Sequence, residues 1–589
     1  MTGCSGVLFY PLVWWAITVL AVGQEPPLET GPPVVVNTPL GPVKGEVHIT
    51  PNGYKFNLFW SVPYAETPER FARSQPKQAW TSEWDATTRD KFCPQTFGPQ
   101  ILNRSNEDCL YMKIMVPAGE SVGNSLERYP VMYWPHGGGY NLGSALDYDI
   151  DAQGDTMVSK KVILAQPTYR VGPFGFFSTG APDAPGNYAM WDVLNGLQFL
   201  RDNIAAFGGD PTQITLMGQG AGGLASNCLT MSPQARGMYA RAVFLSATAL
   251  TPKVMQPDSE YMKKMREFAN AAQCDQGGAK WDAGQRSEVL QCLKEKPMDA
   301  LLRAAGQVTR GQSLWWHQRI DGPGGFFPEP MNVLASKREQ VPVMLGTTDD
   351  EQLWDIHVLP SLVDQSFNFD VNERGHWSNV EKECERRITP ANFPQTFARM
   401  REACRQEYVT KVFNGGFTAA DRLNPYFWMH QASKVGSGLS YHAPVFRDAS
   451  YYVGGGNPKV YLYSFDFVRD NAGPWWAAAA SFHNMDIAYI EEFFPANFYK
   501  FEMTGKDGQM QELWDTILTN FAKTGDPNPL GGDCTTQCSV SNGPFSSIQW
   551  TPMTANGEYL SINIPPEMKT GFHRDDVLFW SNPEYQPGS

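Results

Sequence analysis

Four short segments of this chain carry groups that could serve acyl transfer. His136-Gly137-Gly138-Gly139-Tyr140 follows directly on an apolar run. A glycine loop placed there can turn backbone N–H groups toward a developing oxyanion. Gly218-Gln219-Gly220-Ala221-Gly222-Gly223 lies between a second apolar run and a stretch of small residues. It has the frame of a nucleophile elbow, G-x-S-x-G, with glycine where the serine stands. Glu351, in TTDDEQ, and His483, in SFHNMD, come later, in the acid-then-base chain order of a Ser-acid-His triad. Gly220 supplies no oxygen, and no cysteine, serine or threonine lies within the six residues. Ser226 sits farther along the following helix and is not expected to face the same point. Loss of the nucleophile from a serine protease lowers turnover about 10⁶-fold, roughly 8–9 kcal/mol of barrier. The expectation is therefore a frame for covalent chemistry with no catalytic residue. Direct activation of water by His483 with Glu351 is the alternative.

These segments need elements to hold them. Pro130–Trp134 and Lys161–Tyr169 read as strands, as do Ile214–Met217, Val341–Leu345 and Val460–Phe465. Trp191–Ile204 reads as a helix from the spacing of Val193, Leu194, Leu197, Leu200 and Ile204, with Asn187 or Asp192 as its cap. The β-α-β alternation predicts an α/β fold with a large, mostly parallel sheet and helices on both faces. After the Pro-rich leader 24–33 no linker, repeat or low-complexity segment interrupts the chain. Residues 24–589 are expected to form one large domain, although 589 residues would allow about four small ones.

Longer segments carry a family resemblance. APGNYAMWDVLNGLQFLRDNIAAFGGDPTQITLMGQGAGG, NEDCLYM, TYRVGPFGFF and FAKTGDPNP resemble boxes of the type-B carboxylesterase/cholinesterase family, over residues from about 30 to 580. The resemblance implies the α/β-hydrolase fold. It implies disulfides Cys93–Cys109 and Cys274–Cys292, and ion pairs Arg70–Glu107 and Arg170–Asp192. Glu351 and His483 match the family acid and base, and Gly138, Gly139 and Ala221 its oxyanion-hole donors. The family elbow reads GESAGG, and here both the serine and the acidic residue before it are replaced, by Gly220 and Gln219. Gly220, Glu351 and His483 then form a vestigial triad. The elbow strains a serine by on the order of 1–3 kcal/mol, whereas glycine adopts the same conformation freely. A choline site is not expected, because the stretch PQTFGPQILNRSNED between Cys93 and Cys109 is short and has no tryptophan. Trp475 and Trp476 are candidates for lining a gorge. Lacking the serine, the chain resembles the adhesion subgroup of the family, most of all its glutactin-type members.

Composition bounds the rest. With 42% hydrophobic and 18% charged residues the chain is globular. The 47 Lys and Arg against 61 Asp and Glu leave a formal charge of −14, which argues against nucleic acid as a partner. The apolar stretch Val7–Val22 reads as the core of a signal peptide, residues 1–23, so the protein is expected to be secreted and extracellular. No later run is long enough to span a membrane. Beyond Cys4, eight cysteines fall in neighbouring pairs: Cys93 with Cys109, Cys274 with Cys292, Cys384 with Cys404 and Cys534 with Cys538. Spacing alone does not fix the pairing, though local disulfides suit an oxidising compartment. Cys228 is left over, in an apolar stretch. Asn103, in Asn103-Arg104-Ser105, is a glycosylation sequon. His48, His317, His357, His376, His430, His442 and His573 show no metal-ligand spacing, so no metal and no cofactor are expected. The function expected is binding of an extracellular protein or matrix component. A carrier of an apolar small ligand and a weak ester hydrolase are the alternatives. Gln511–Lys523 carries an apolar stripe, Leu513, Trp514, Ile517, Leu518 and Phe521. It would serve a homodimer, as in family relatives, or pack on the chain's own sheet.

Overall fold

The computed structural model describes residues 30–582 except 96–103, 119–127, 255, 311, 313, 354–355, 357–375, 391, 394, 416–417, 470–479, 492–504 and 529–548. Residues 1–29, Asn103, His357, Trp475, Trp476, Cys534 and Cys538 lie outside the described residues, and the end of the expected leader, 30–33, belongs to the first strand.

Thirteen strands of the described residues join in one sheet. They are β1 (Thr30–Thr38), β2 (Gly41–Ile49), β3 (Lys55–Pro63), β4 (Trp84–Asp85), β5 (Tyr111–Pro117), β6 (Tyr129–Tyr133) and β7 (Ile163–Pro167), then β8 (Gly209–Gln219), β9 (Arg241–Leu245), β10 (Val343–Thr348), β11 (Val460–Phe465), β12 (Glu558–Ile562) and β13 (Glu567–Thr570). The order is β1-β2-β3-β5-β7-β6-β8-β9-β10-β11-β12-β13, with β4 beside β2. From β7 through β12 every neighbouring pair is parallel. The expected strands are present with shifted ends, and Val460–Phe465 stands as read. The antiparallel edges, β1-β2-β3-β5 and β12-β13, went unforeseen. Their strands are paired to sequence neighbours and carry no crossover helix to announce them.

Both faces are covered. Alternate residues of each central strand point to opposite sides, as strand pleating demands. Val131, Tyr133, Ile163, Leu216 and Phe244 enter one core. Met132, Trp134, Leu164, Met217 and Val243 enter the other. On the first face lie α2 (Tyr188–Asn203) and α3 (Ala221–Met231). On the second lie α1 (Ile150–Thr156), α4 (Met485–Glu491) and α5 (Lys506–Thr524). Each fully buried Leu, Ile or Phe contributes about 1.5–3 kcal/mol.

Two local readings need correction. Asn187 stands before α2, but in a left-handed conformation and without a capping bond. Its side chain instead bridges the backbone N–H and C=O of Arg319. Asp192 lies inside the helix and receives two guanidinium bonds from Arg170 at 2.7 Å. The apolar stripe of α5 is buried within the chain, where Trp514 stacks edge-on against Tyr463 of β11. The stripe packs on the chain's own sheet, the second of the two expected uses.

The topology positions the site. β6 lies between β7 and β8, so the chain reverses its direction of strand addition there. In open α/β sheets the carboxyl ends of the strands at such a switch point form the crevice. The loops after β6 and β8 carry HGGGY and GQGAGG. β9 and β10 follow, and the segment after β10 carries Glu351.

Candidate functional site

Gly220 sits at the turn from β8 into α3 with φ +55° and ψ −124°, a backbone region costly for any side chain. Its N–H donates to the carbonyl of Leu245 on β9 (3.0 Å) and its own carbonyl accepts from Leu224 (2.8 Å). The flanking glycines are there for space. A Cβ on Gly218 would overlap the backbone of Gly222, one on Gly222 the Pro135 carbonyl, and one on Gly223 the carbonyl of Gly218. The elbow is thus pressed against the end of β6. At Gly220 itself the added Cβ would meet His483, 3.0 Å from Nε2 and 3.5 Å from Cε1. Ser226 points away from this place, donating to the Met217 carbonyl at 2.8 Å.

The loop after β6 is braced carbonyl by carbonyl. The Gly137 carbonyl meets His136 Nδ1 (2.9 Å), and the Gly138 carbonyl accepts from Asn141 and Leu142. A trans peptide directs its N–H opposite to its C=O, so the N–H groups of Gly138 and Gly139 are turned away from these bonds. Positive φ at Gly138 (+108°) and Gly139 (+60°) makes that orientation open to glycine. His136 lies stacked on Tyr169, 4.2 Å between centroids, and burial pushes it down to about 4. It is therefore neutral and keeps a proton on Nδ1 for Gly137. The Gly137 N–H donates to Tyr148 Oη (3.1 Å). Ala221 opens α3, and the first N–H groups of a helix have no partner inside it.

His483 lies between two fixed groups. Its Nδ1 is 2.5 Å from Glu351 Oε2, and its Nε2 is 3.1 Å from Gln219 Nε2. Glu351 is buried and its Oε1 accepts the Thr348 N–H at 2.8 Å, so a proton on Nδ1 is the arrangement that satisfies the pair. Nε2 then offers its lone pair, and the Gln219 amide donates to it. In a Ser-His-acid triad that lone pair receives the serine hydroxyl. Tyr441 packs beside the imidazole with centroids 5.3 Å apart. Below it, Asp486 is buried, with Tyr463 Oη at 3.2 Å. Burial first, then the charge of Glu351, raises Asp486 to about 7.

The structure thus gathers Gly220, Glu351, His483 and the glycine loop at one edge of the sheet. The amide of Gln219 was missed as a partner of His483. The only signal was that Gln219 replaces an acidic family residue beside another replaced residue. Asp486 and Tyr441 carried no sequence signal. The disulfides Cys93–Cys109, Cys274–Cys292 and Cys384–Cys404 are present, each worth about 2–4 kcal/mol. Arg70 Nε pairs with Glu107 at 2.8 Å. Cys228 is free and buried, and burial pushes its thiol up. Among the described residues no group of three His, Cys, Asp or Glu could hold a metal ion. His48 pairs with Asp151, His430 with Asp350 and His442 with Asp576.

A mostly parallel sheet with helices on both faces and this elbow define the α/β-hydrolase class. The sequence model of the carboxylesterase family matches residues 32–580, and the chain belongs to that family. It is similar to carboxylesterase 5A of the dog, 26% identical with 99% of this chain and 94% of the relative covered. It is also similar to carboxylesterase 5A of the cat, 27% identical with 98% and 99% covered. Human cocaine esterase is 26% identical with 92% and 90% covered. No helix of the described residues is long and apolar enough to cross a membrane.

Proposed function

We propose that this chain is a catalytically silent member of the carboxylesterase family, secreted, that acts by binding an extracellular protein or matrix component. One observation carries the silence: a glycine stands at the elbow, and the amide beside it takes the histidine lone pair that a nucleophile would use. Gly220, Glu351 and His483 are read as a vestigial triad, and Gly138, Gly139 and Ala221 as a vestigial oxyanion hole. The Gln219 bond also argues against a water activated directly by His483. Three disulfides suit an oxidising compartment, which supports secretion after removal of residues 1–23, with Asn103 as the glycan site and a fourth bridge Cys534–Cys538. On this reading residues 24–589 work as one carboxylesterase-like domain whose surface does the binding.

The test is ester hydrolysis by wild type beside Gly220→Ser and Gln219→Glu/Gly220→Ser, with a fluorophosphonate probe in parallel. Wild type is expected to be silent and unlabelled. The double variant is expected to label and turn over above the single one. In the single variant Gln219 still holds Nε2, and the new Cβ crowds His483. Wild-type hydrolysis above background would overturn the silence. A silent protein with no saturable binding to cell surfaces or matrix would overturn the binding role.

A further inference from the structure

Two helical walls enclose an open groove of about 650 Å³, within the roughly 300–1,000 Å³ of small-ligand sites. One wall is the helix Phe397–Arg405, continued by the π-helical turn Gln406–Thr410 and by Lys411–Asn414. Ala403, Gln406, Glu407, Thr410, Lys411 and Asn414 line the groove from this wall, at the spacing of one helix face. The other wall is the helix Arg574–Trp580 with Asn582 just beyond it, and it contributes Phe579 and Asn582. The walls are fixed to each other. Tyr408 is buried, and its hydroxyl donates to Asp576 Oδ1 at 3.0 Å and accepts from Trp580 Nε1 at 2.8 Å. The Cys384–Cys404 disulfide pins the first wall beside Ala403. Phe579 is held edge-on against Tyr408, with centroids 5.7 Å apart. The Lys411 N–H reaches back to the Gln406 carbonyl, a π turn of the kind often found at functional sites. A site set in advance loses less entropy when a ligand arrives.

The lining selects a class of ligand. Pockets for apolar ligands are lined mostly by hydrophobic residues, whereas six of these eight residues are polar. Lys411 Nζ lies 2.6 Å from Glu407 Oε1 and 3.9 Å from Asp575 Oδ2. Its charge is thus matched, and the groove offers no excess positive charge to an anion. The Gln406 amide is oriented by donating to Glu402 at 2.6 Å. The Thr410 hydroxyl and the Asn414 amide make no hydrogen bond to the chain among the described residues. Amides and hydroxyls both donate and accept, as each hydroxyl of a sugar does. Phe579 and Ala403 supply an apolar patch, and the negative face of an aromatic ring attracts C–H groups. We propose that this groove is a binding site for a short neutral oligosaccharide. Phe579 takes the C–H face of one ring, and Gln406, Thr410, Asn414 and Asn582 take hydroxyl or acetamido groups. No bond is made or broken. For its partner the proposal rests on the reading of the chain as an extracellular binding protein, and it makes that partner a glycan.

The test is calorimetric titration of the whole chain with N,N′-diacetylchitobiose and with cellobiose, and with a heparin disaccharide as the charged control. Saturable binding of at least one neutral disaccharide is expected, at least about tenfold tighter than the heparin disaccharide. Asn414→Ala, a change at an exposed position, is expected to weaken that binding by about tenfold. Thr410→Trp fills the groove and is expected to abolish it. An unchanged unfolding temperature in Asn414→Ala keeps the result interpretable if Thr410→Trp fails to fold. Absence of binding by both neutral disaccharides, tighter binding of the heparin disaccharide, or full-strength binding by Asn414→Ala and Thr410→Trp would overturn the proposal. Sedimentation showing a dimer that Thr410→Trp abolishes would give the groove to a second copy and overturn it as well. The two readings fail separately. Saturable matrix binding without disaccharide binding would sink the groove alone, and disaccharide binding without matrix binding would sink the binding role alone.

Discussion

Two histidine–carboxylate pairs flank the end of β10 and differ in what surrounds them. His483 binds Glu351 through Nδ1, and its Nε2 looks toward a glycine and meets the Gln219 side-chain amide; the side chain is 14% exposed. His442 is fully buried. Its Nδ1 meets Asp576 Oδ2 at 2.9 Å, its Nε2 the Thr348 carbonyl at 3.3 Å, and its ring lies flat on His573 at 3.6 Å. Asp576 is in turn held by Tyr408, whose hydroxyl accepts from Trp580. One pair is closed on all sides by the chain and ties the helix Arg574–Trp580 to the sheet. The other keeps some contact with solvent and meets a side-chain amide across its outer nitrogen. The same chemical pair thus ties a helix to the sheet where backbone and buried side chains meet it on every side, and stands at the elbow where a side-chain amide meets it instead.

The contrast can be broken by removing each carboxylate. Asp576→Ala should be the most damaging change. It leaves a buried imidazole, raised above 6.5 by Asp576 against burial, without its counter-charge, at a cost of about 3–5 kcal/mol. Chemical denaturation should show this, and an unchanged midpoint would make the two pairs equivalent. Gly220→Ala should cost about 1–3 kcal/mol, because φ +55° with ψ −124° strains any Cβ. A neutral result would mean that the elbow relaxes. Glu351→Gln should cost about 1–3 kcal/mol, since its single amide oxygen can accept from His483 Nδ1 or from the Thr348 N–H but not from both.

The smallest effect is in pH. Burial, then the charge on His442, holds His573 well below 6.5. A histidine lowered in the folded state binds fewer protons than in the unfolded chain. Stability should therefore fall as pH drops below 6.5, with His573→Phe flattening that limb in melts between pH 7 and 5. His442 works the other way. Its raised value adds stability below 6.5 that is lost as pH rises through that value. An Asp576→Ala chain should lose that alkaline limb alone, and loss of both limbs would mean the two rings titrate as one.

Much of this was legible in one dimension. The glycines at 218, 222 and 223 announce an elbow because backbone crowding there excludes every other residue. Strand and helix could be read in the parallel centre because crossover helices separate the strands. At Gly220 the missing side-chain oxygen is a fact of composition, and the proposal of a silent elbow rests on it. The antiparallel edges were not legible, since short paired strands carry no period that distinguishes them from loops. Nor was the role of Gln219, because its partner lies 264 residues away and the bond exists only where β8 and the segment after β11 end on one edge. The cap assigned to Asn187 failed for a similar reason: its amide found the Arg319 backbone, a partner that local spacing does not display. The stripe on α5 shows the limit most plainly. Its amphipathicity is written in the residues, but whether it meets a sheet or a second subunit depends on what the rest of the chain brings against it. The sequence alone determined that residue 220 carries no side-chain oxygen and that a glycine frame surrounds it. Only the tertiary structure decided which groups close over that gap, because distance through space is settled by packing.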